Sequence, residues 1–394
     1  MAHSIRRVLD LLLALLPLLG VLALGACARL SRDPAPTVAS PFAALPLNHL
    51  QVIGTHNSYK IAPEPALLAL IAATRREQAE AIDYTHLIVT DQLNLGVRNL
   101  ELDIAWDPDG GRYASPLGNR LLALAGTRPV PFNECGSLDT PGFKVIHDPD
   151  FDFRSHHHDL ESYLREMRAW SRRNPGHEPV IVTMNCKSGK SRFPGGTDCA
   201  EFTRDAFAAL DATIRTHLGD EHLVTPDLVR GSDATLEGAI LARGWPSVGA
   251  LRGRYLFVLD EGRAVRERYV EGHPSCRGRV FFVTAPAGEP EAAVLIINDP
   301  VRDQARIRDL VTRGYLVRTR ADADTREPRV GDLTRFEAAK ASGAQVISTD
   351  YPIPDRKINP DYIVRFDDAG FIRVNPVTVQ PSAGKTAPAG STRR

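Results

Sequence analysis

Four short segments, far apart in the chain, carry side chains suited to acid–base and metal chemistry. They are Thr55-His56-Asn57-Ser58-Tyr59, Glu101-Leu102-Asp103, Ile146-His147-Asp148 and Thr183-Met184-Asn185-Cys186-Lys187. Imidazole changes charge near neutral pH, so His56 and His147 are candidates for moving a proton and steadying developing charge. Glu101 and Asp103, two apart on a strand, point the same way and can grip one hard cation through oxygen. Asn57 and Asn185 can add neutral amide oxygens, and Lys187 a positive charge beside a phosphate. A phosphodiester resists hydrolysis because its charge repels nucleophiles and its leaving alkoxide is poor. Two imidazoles, an acid pair and neutral oxygen ligands suit its metal-assisted cleavage.

Each segment closes a short apolar run of strand character, at residues 50–53, 97–102, 143–146 and 180–182. Residues spread this widely converge if the strands open onto one face, as in a parallel α/β barrel. Further runs at 255–259, 280–283, 294–297, 315–318 and 345–348 alternate with helical stretches such as 301–312 and 333–342. Asp159 is placed to cap a helix with Leu160, Leu164, Met167 and Trp170 on one face. Phe207, Leu210, Ile214 and Leu218 mark another. This alternation predicts an α/β fold, a distorted TIM-type (β/α)8 barrel in a single domain. Nine runs are one too many for eightfold closure, so either 280–283 or 294–297 is expected to be an accessory strand. An open doubly wound sheet is the rival, but no G-x-G-x-x-G follows the first strand.

The 394 residues carry 48 basic and 48 acidic side chains, which gives no reason to expect nucleic acid as a partner. Arg6-Arg7 precede an apolar run to Leu24, short for a membrane span and right for a signal-peptide core. The run ends in Leu24-Gly25-Ala26-Cys27, which looks like a bacterial lipobox. The expected organisation is therefore a lipoprotein-type signal at 1–26, a flexible tether at 27–45, the barrel at 46–379 and a Pro/Ser/Gly-rich disordered tail at 380–394. The protein is expected to be exported and lipid-anchored (periplasmic or cell-surface), or else secreted, and monomeric. Four further cysteines, Cys135, Cys186, Cys199 and Cys276, make two disulfides the expectation, Cys186–Cys199 being the easiest closure. Asp260, Arg320 and Asp350 are weaker site candidates, plausible for holding substrate hydroxyls or phosphate. His156-His157-His158 reads as a solvated loop, since adjacent histidines seldom face one metal.

These segments resemble the catalytic domain of phosphoinositide-specific phospholipase C, closest to its bacterial calcium-dependent branch. The opening Thr55–Tyr59 motif, Leu100-Glu101-Leu102-Asp103-Ile104-Ala105-Trp106-Asp107 and Val145-Ile146-His147-Asp148-Pro149-Asp150-Phe151-Asp152-Phe153 carry the likeness. So do Gly314-Tyr315-Leu316-Val317-Arg318-Thr319-Arg320 and Ser348-Thr349-Asp350-Tyr351. The resemblance implies a phosphoric diester hydrolase with calcium at the C-terminal mouth, catalytic His56 and His147, and the calcium ligands Asn57, Glu101 and Asp103. It implies attack by the inositol 2-hydroxyl on phosphorus, releasing diacylglycerol and a cyclic inositol phosphate that water can open. His147 would stabilise the pentacoordinate charge, and His56 would assist the leaving oxygen. The substrate would then be a phospholipid or other phosphodiester at a membrane surface.

The chain departs from the family at Asn185, where a glutamate ligand is usual. One negative charge is lost, so weaker calcium binding is expected, with Glu101 or Asp103 left as candidate general base. Two other readings compete. A glycerophosphodiester phosphodiesterase shares the Glu-x-Asp and His-Asp pieces, but usually has Arg after its first His, where this chain has Asn57. A membrane-tethered headgroup-binding protein without turnover would be consistent with Asn185 alone.

Overall fold

The computed structural model describes residues 40–366 and 370–379. The signal segment 1–26, Cys27 and the tail 380–394 lie outside the described residues, as does the tether up to residue 39. Residues 40–45, within the expected tether, are packed: Val248 donates its backbone N–H to Leu45 O at 2.8 Å, and Phe42 and Leu45 lie against the core.

The strands are β1 (Leu50–Thr55), β2 (Asn99–Asp107), β3 (Gly142–Val145), β4 (Val180–Lys187), β5 (Tyr255–Leu259), β6 (Phe282–Val283), β7 (Val294–Ile296), β8 (Leu316–Arg320), β9 (Val346–Thr349) and β10 (Ile372–Val374). Eight run parallel in the order β6-β5-β4-β2-β1-β9-β8-β7. A single parallel bridge from Thr284 to Val294 joins the two ends, so the barrel is nearly closed. The distorted TIM-type architecture is therefore the observed one.

The accessory strand is not the expected one. The runs at 280–283 and 294–297 both supply barrel strands, whereas β3 pairs antiparallel with the outer half of β2, Ile104 opposite Val145. The reason lies in β2, which has nine residues and outruns the barrel. Its projecting end needs a partner for its backbone groups. β3 supplies one and, running backwards, delivers the chain to the barrel mouth at His147. Ile146 donates its N–H to Asp103 O at 3.1 Å.

Helices cover the outside. Asp159 caps Leu160–Arg173 by accepting from Ser162 N at 2.7 Å, and Leu160, Leu164, Met167 and Trp170 are buried as their spacing requires. Each contributes about 1.5–3 kcal/mol of apolar burial. Phe207, Leu210, Ile214 and Leu218 do the same for Arg204–Leu218. Between β1 and β2 three short helices intervene, Pro65–Ala72, Arg76–Ile82 and Val89–Leu95. Gly54 is required where β1 meets β2: a Cβ there would lie 2.4 Å from Asn99 Oδ1. Among the described residues no helix is long and apolar enough to cross a membrane.

The four cysteines among the described residues, Cys135, Cys186, Cys199 and Cys276, are free thiols, so the expected disulfides are not formed. Cys276 is buried in the core and Cys135 lies on an exposed loop. The loop expected to be closed by Cys186–Cys199 is closed by backbone instead: Cys199 N donates to Gly189 O at 2.9 Å, and Gly189 N to Cys199 O at 3.2 Å.

Candidate active site

Strand register brings the site together before any side chain is considered. Thr55 pairs with Thr349, which sets His56 beside Asp350 at the ends of β1 and β9. Asp103 pairs with Asn185, and Met184 with Leu259, so Asn185 adjoins Asp260. All of these positions lie at the same mouth of the barrel.

His56 Nδ1 lies 2.9 Å from Asp350 Oδ1. Its other nitrogen, Nε2, accepts from Arg320 Nη1 at 3.3 Å and lies 3.8 Å from Glu101 Oε1. This pattern places the proton on Nδ1, donated to Asp350, and leaves a lone pair on Nε2. Burial, then the Arg320 guanidinium, lowers the pKa of His56, with Asp350 and Glu101 opposing. Burial alone would raise Asp350, but His56, His86 and Arg320 hold it well below the carboxylate range. His86 Nε2 also meets the His56 carbonyl at 2.8 Å, fixing the loop after β1.

His147 repeats the arrangement on the far side. Its Nδ1 lies 2.7 Å from Asp152 Oδ2, and Lys60 forms a buried ion pair with the other oxygen of Asp152. Burial would raise Asp152, but the Lys60 ammonium and the His147 imidazole keep it below the usual range. Two histidines, each oriented through Nδ1 by a buried aspartate, therefore flank the Glu101–Asp103 pair.

The acid pair is neutralised from within. Glu101 forms an ion pair with Arg318, two strands beyond β1 on β8, so the pair crosses the barrel interior. Arg318 is held in turn by Asn298 Oδ1 at 2.7 Å. Asp103 Oδ2 lies 2.6 Å from Lys187 Nζ. Burial would lower Lys187, but Asp103 raises it above its ordinary value. Asn57, in the left-handed region at φ +48°, accepts from Tyr59 OH at 3.3 Å and donates to Tyr84 OH at 3.1 Å. Asn185 Nδ2 donates to Asp260 O at 2.8 Å. Burial raises Asp260 to about 6, with Glu101 and Asp103 adding to it. Burial raises its neighbour Glu261 to about 7.

The oxygen set Asn57, Glu101, Asp103 and Asn185 fits calcium in donor type: two carboxylates and two amides, all hard ligands. Among the described residues no three His, Cys, Asp or Glu side chains gather as a metal cluster. The amides explain this, since they are half of the set. In charge the two carboxylates match a dication only when Lys187 and Arg318 do not already compensate them.

The candidates are thus brought to one mouth, with three differences in what they touch. Lys187 lines a cleft beside His147 but is held by Asp103. Arg320 is engaged by His56, by Asp350 Oδ2 at 3.4 Å and by the Asp322 carbonyl at 2.9 Å. The three adjacent histidines point to separate partners: His156 to His86 O, His157 to Glu166 and His158, buried, to Phe153 O. Sequence reasoning missed Asp152, Lys60 and Arg318 as site residues. Asp152 and Lys60 stand five residues after His147 and four after His56, inside or beside the motifs themselves.

A family model described as phosphoinositide phospholipase C, Ca2+-dependent, matches residues 45–376. A calcium-dependent phosphoinositol-specific phospholipase C from the Gram-negative bacterium Pseudomonas sp., apo form, is similar at 17% identity and TM-score 0.50, over 86% of this chain and 99% of that one. A myoinositol complex of the Pseudomonas enzyme gives the same identity and score over 87% and 99%. A Ca2+-dependent phosphatidylinositol-specific phospholipase C from Streptomyces antibioticus is 20% identical with TM-score 0.45, over 77% and 94%. No curated protein matches the chain. At these identities the Pseudomonas structures speak to the fold, the same barrel as the one described above.

Proposed function

Because the chain belongs to the calcium-dependent phosphoinositide phospholipase C family, and so is a phosphoric diester hydrolase with calcium as cofactor, we propose that it cleaves phosphatidylinositol-type lipids to diacylglycerol and a cyclic inositol phosphate. The observation that carries this reading is the pair of Asp–His dyads, Asp350–His56 and Asp152–His147, on either side of Glu101 and Asp103.

Bound calcium would be held by Asn57, Glu101, Asp103 and Asn185, and would supply positive charge to the phosphoryl oxygens and the attacking hydroxyl. The chain's own groups move the protons. His56, its pKa lowered by burial and its Nε2 lone pair shared only with Arg320, takes the proton of the inositol 2-hydroxyl as that oxygen bonds to phosphorus. Asp350 stabilises the imidazolium so formed, as an orienting aspartate does in other triads. The glycerol–phosphorus bond breaks, and its oxygen takes a proton from His147, which Asp152 orients and which is the more exposed histidine, its side chain 32% accessible against 18% for His56. These roles depart from those the resemblance implies, in which His56 assists the leaving oxygen, His147 stabilises the pentacoordinate charge and Glu101 or Asp103 is the candidate base. Arg320, beside His56 Nε2, adds charge where the phosphate would sit.

The leader-like segment ending at Cys27 supports placing this activity outside the cytoplasm at a lipid surface. Turnover of phosphatidylinositol by the wild type and its loss by about 10³-fold or more in His56→Ala and His147→Ala tests the reading. A protein that hydrolyses only glycerophosphodiesters would replace it with the superfamily rival.

A further inference from the structure

Lys60 is a buried lysine, its side chain 1% exposed, and its ammonium pairs with Asp152, itself 2% exposed. Its backbone is held in register with the segment that carries Asp152. Lys60 and Ser155 form an antiparallel bridge, and His156 N donates to Tyr59 O at 3.0 Å. On its other side Lys60 reaches the His56 dyad. Its ammonium lies 5.1 Å from the Tyr84 ring centroid, and the Tyr84 hydroxyl is 3.3 Å from His56 Nδ1. Its carbonyl accepts from His86 N at 3.0 Å, and His86 Nε2 meets the His56 carbonyl. Taking an ammonium and a carboxylate out of water is unfavourable, and apolar side chains of similar volume would hold this position at least as stably. The pair is therefore better explained by what it does to His147.

We propose that Lys60 is a positioning residue for the acid half of the reaction: it holds one oxygen of Asp152 and so keeps that carboxylate charged and aimed, through its other oxygen, at His147 Nδ1. The inference rests on the phospholipase reading above, in which His147 protonates the leaving glycerol oxygen. The two oxygens divide the work, Oδ1 to Lys60 and Oδ2 to His147. A carboxylate buried without the ammonium would take up a proton itself or turn toward other donors. In both cases His147 loses the charge that steadies its imidazolium. Support and chemistry are separated in space: His147 opens to the mouth, whereas Asp152 and Lys60 are sealed from water. The arm through Tyr84 and His86 keeps Lys60 itself from shifting, because it ties the same residue to the loop that carries His56.

The test compares the full chain, with calcium, on phosphatidylinositol and on inositol 1-(4-nitrophenyl phosphate), whose nitrophenolate leaves without needing a proton. The variants are Lys60→Met, Asp152→Asn and the double substitution, which removes both charges of the buried pair and so leaves neither unpaired. On phosphatidylinositol, Lys60→Met is expected to lower kcat by about 30-fold, with KM within about twofold. On the nitrophenyl substrate its loss is expected to stay within about threefold, since no acid is called for there. Placed on Asp152→Asn, Lys60→Met is expected to lower kcat by no more than about twofold further, because it acts through Asp152. A merely structural residue would slow both substrates alike, and its loss would multiply with that of Asp152→Asn. Either result, or no loss on phosphatidylinositol, would overturn the proposal. Proton NMR without substrate or calcium gives a readout independent of turnover. The Nδ1 proton that His147 shares with Asp152 is expected as a separate downfield resonance in the wild type and is expected to be lost to exchange in Lys60→Met. Its absence from the wild type, or its retention in Lys60→Met, contradicts the proposal. Should neither substrate turn over, the phospholipase reading fails while this resonance still decides what Lys60 does.

Discussion

Lys187 Nζ sits 2.6 Å from Asp103 Oδ2, so an ammonium occupies one of the two carboxylates expected to bind calcium. A dication reaching Asp103 must displace that charge or share the carboxylate with it, and like charges at that range repel strongly in a buried site. Lys187→Met removes the competitor. Calcium affinity, read by terbium luminescence or calorimetry, is expected to tighten by about tenfold. Unchanged affinity would mean that the cation binds away from Asp103.

Asn185 donates to the Asp260 carbonyl, a bond that a carboxylate cannot make. Asn185→Glu therefore has two opposed effects. The added negative charge is expected to tighten calcium binding. Without calcium the variant is expected to lose about 1 kcal/mol of stability, because a half-buried acceptor loses its donor. Chemical denaturation with and without calcium reads both, and equal stability loss in the two conditions would argue against Asn185 as a ligand.

Asp152 holds His147 through Nδ1 and is held by Lys60. Asp152→Asn keeps the shape but replaces a carboxylate with a neutral amide, which no longer stabilises the protonated His147 that donates to the leaving oxygen. Turnover is expected to fall by about 10²–10⁴-fold, as for orienting aspartates elsewhere, and thermal stability to fall as well, because the buried Lys60 ammonium loses its charged partner. Wild-type rates would show that His147 needs no such orientation.

His177 lies far from the mouth, between the rings of Trp170 and Tyr255. Its Nδ1 meets Glu178 O at 2.7 Å and its Nε2 meets Ser171 Oγ at 2.9 Å. Burial lowers its pKa to about 4. Between pH about 6.5 and 4 the unfolded chain takes up a proton that the folded chain refuses, so stability is full above 6.5 and falls as the pH drops. The loss approaches about 3 kcal/mol at pH 4, at about 1.4 kcal/mol per unit. His177→Gln is expected to flatten this part of the pH–stability curve, measured by denaturant melts.

The barrel and its mouth were legible in the sequence because strand ends carry the chemistry and apolar runs mark the strands. His56, Glu101, Asp103, His147 and Asn185 fall where those runs predict. The mistaken accessory strand shows the limit. An apolar run of four residues has no signature of direction, so β3 was indistinguishable from a barrel strand, while the two- and three-residue strands β6 and β7 were the weaker candidates. Arg318 was invisible as a site residue because its partner Glu101 is 217 residues away across the barrel. Ion pairs of that kind depend on closure, which no local pattern encodes. The free thiols follow the same logic: an even cysteine count says nothing of which elements their side chains lie on.

The most direct measurement is phosphorus NMR of the full chain with phosphatidylinositol, once with calcium and once with chelator. The expected result is a cyclic inositol phosphate resonance that grows with calcium and is absent with chelator and in His147→Ala. No inositol phosphate at saturating calcium, or equal formation in the presence of chelator, would contradict the calcium-dependent phospholipase reading at its centre.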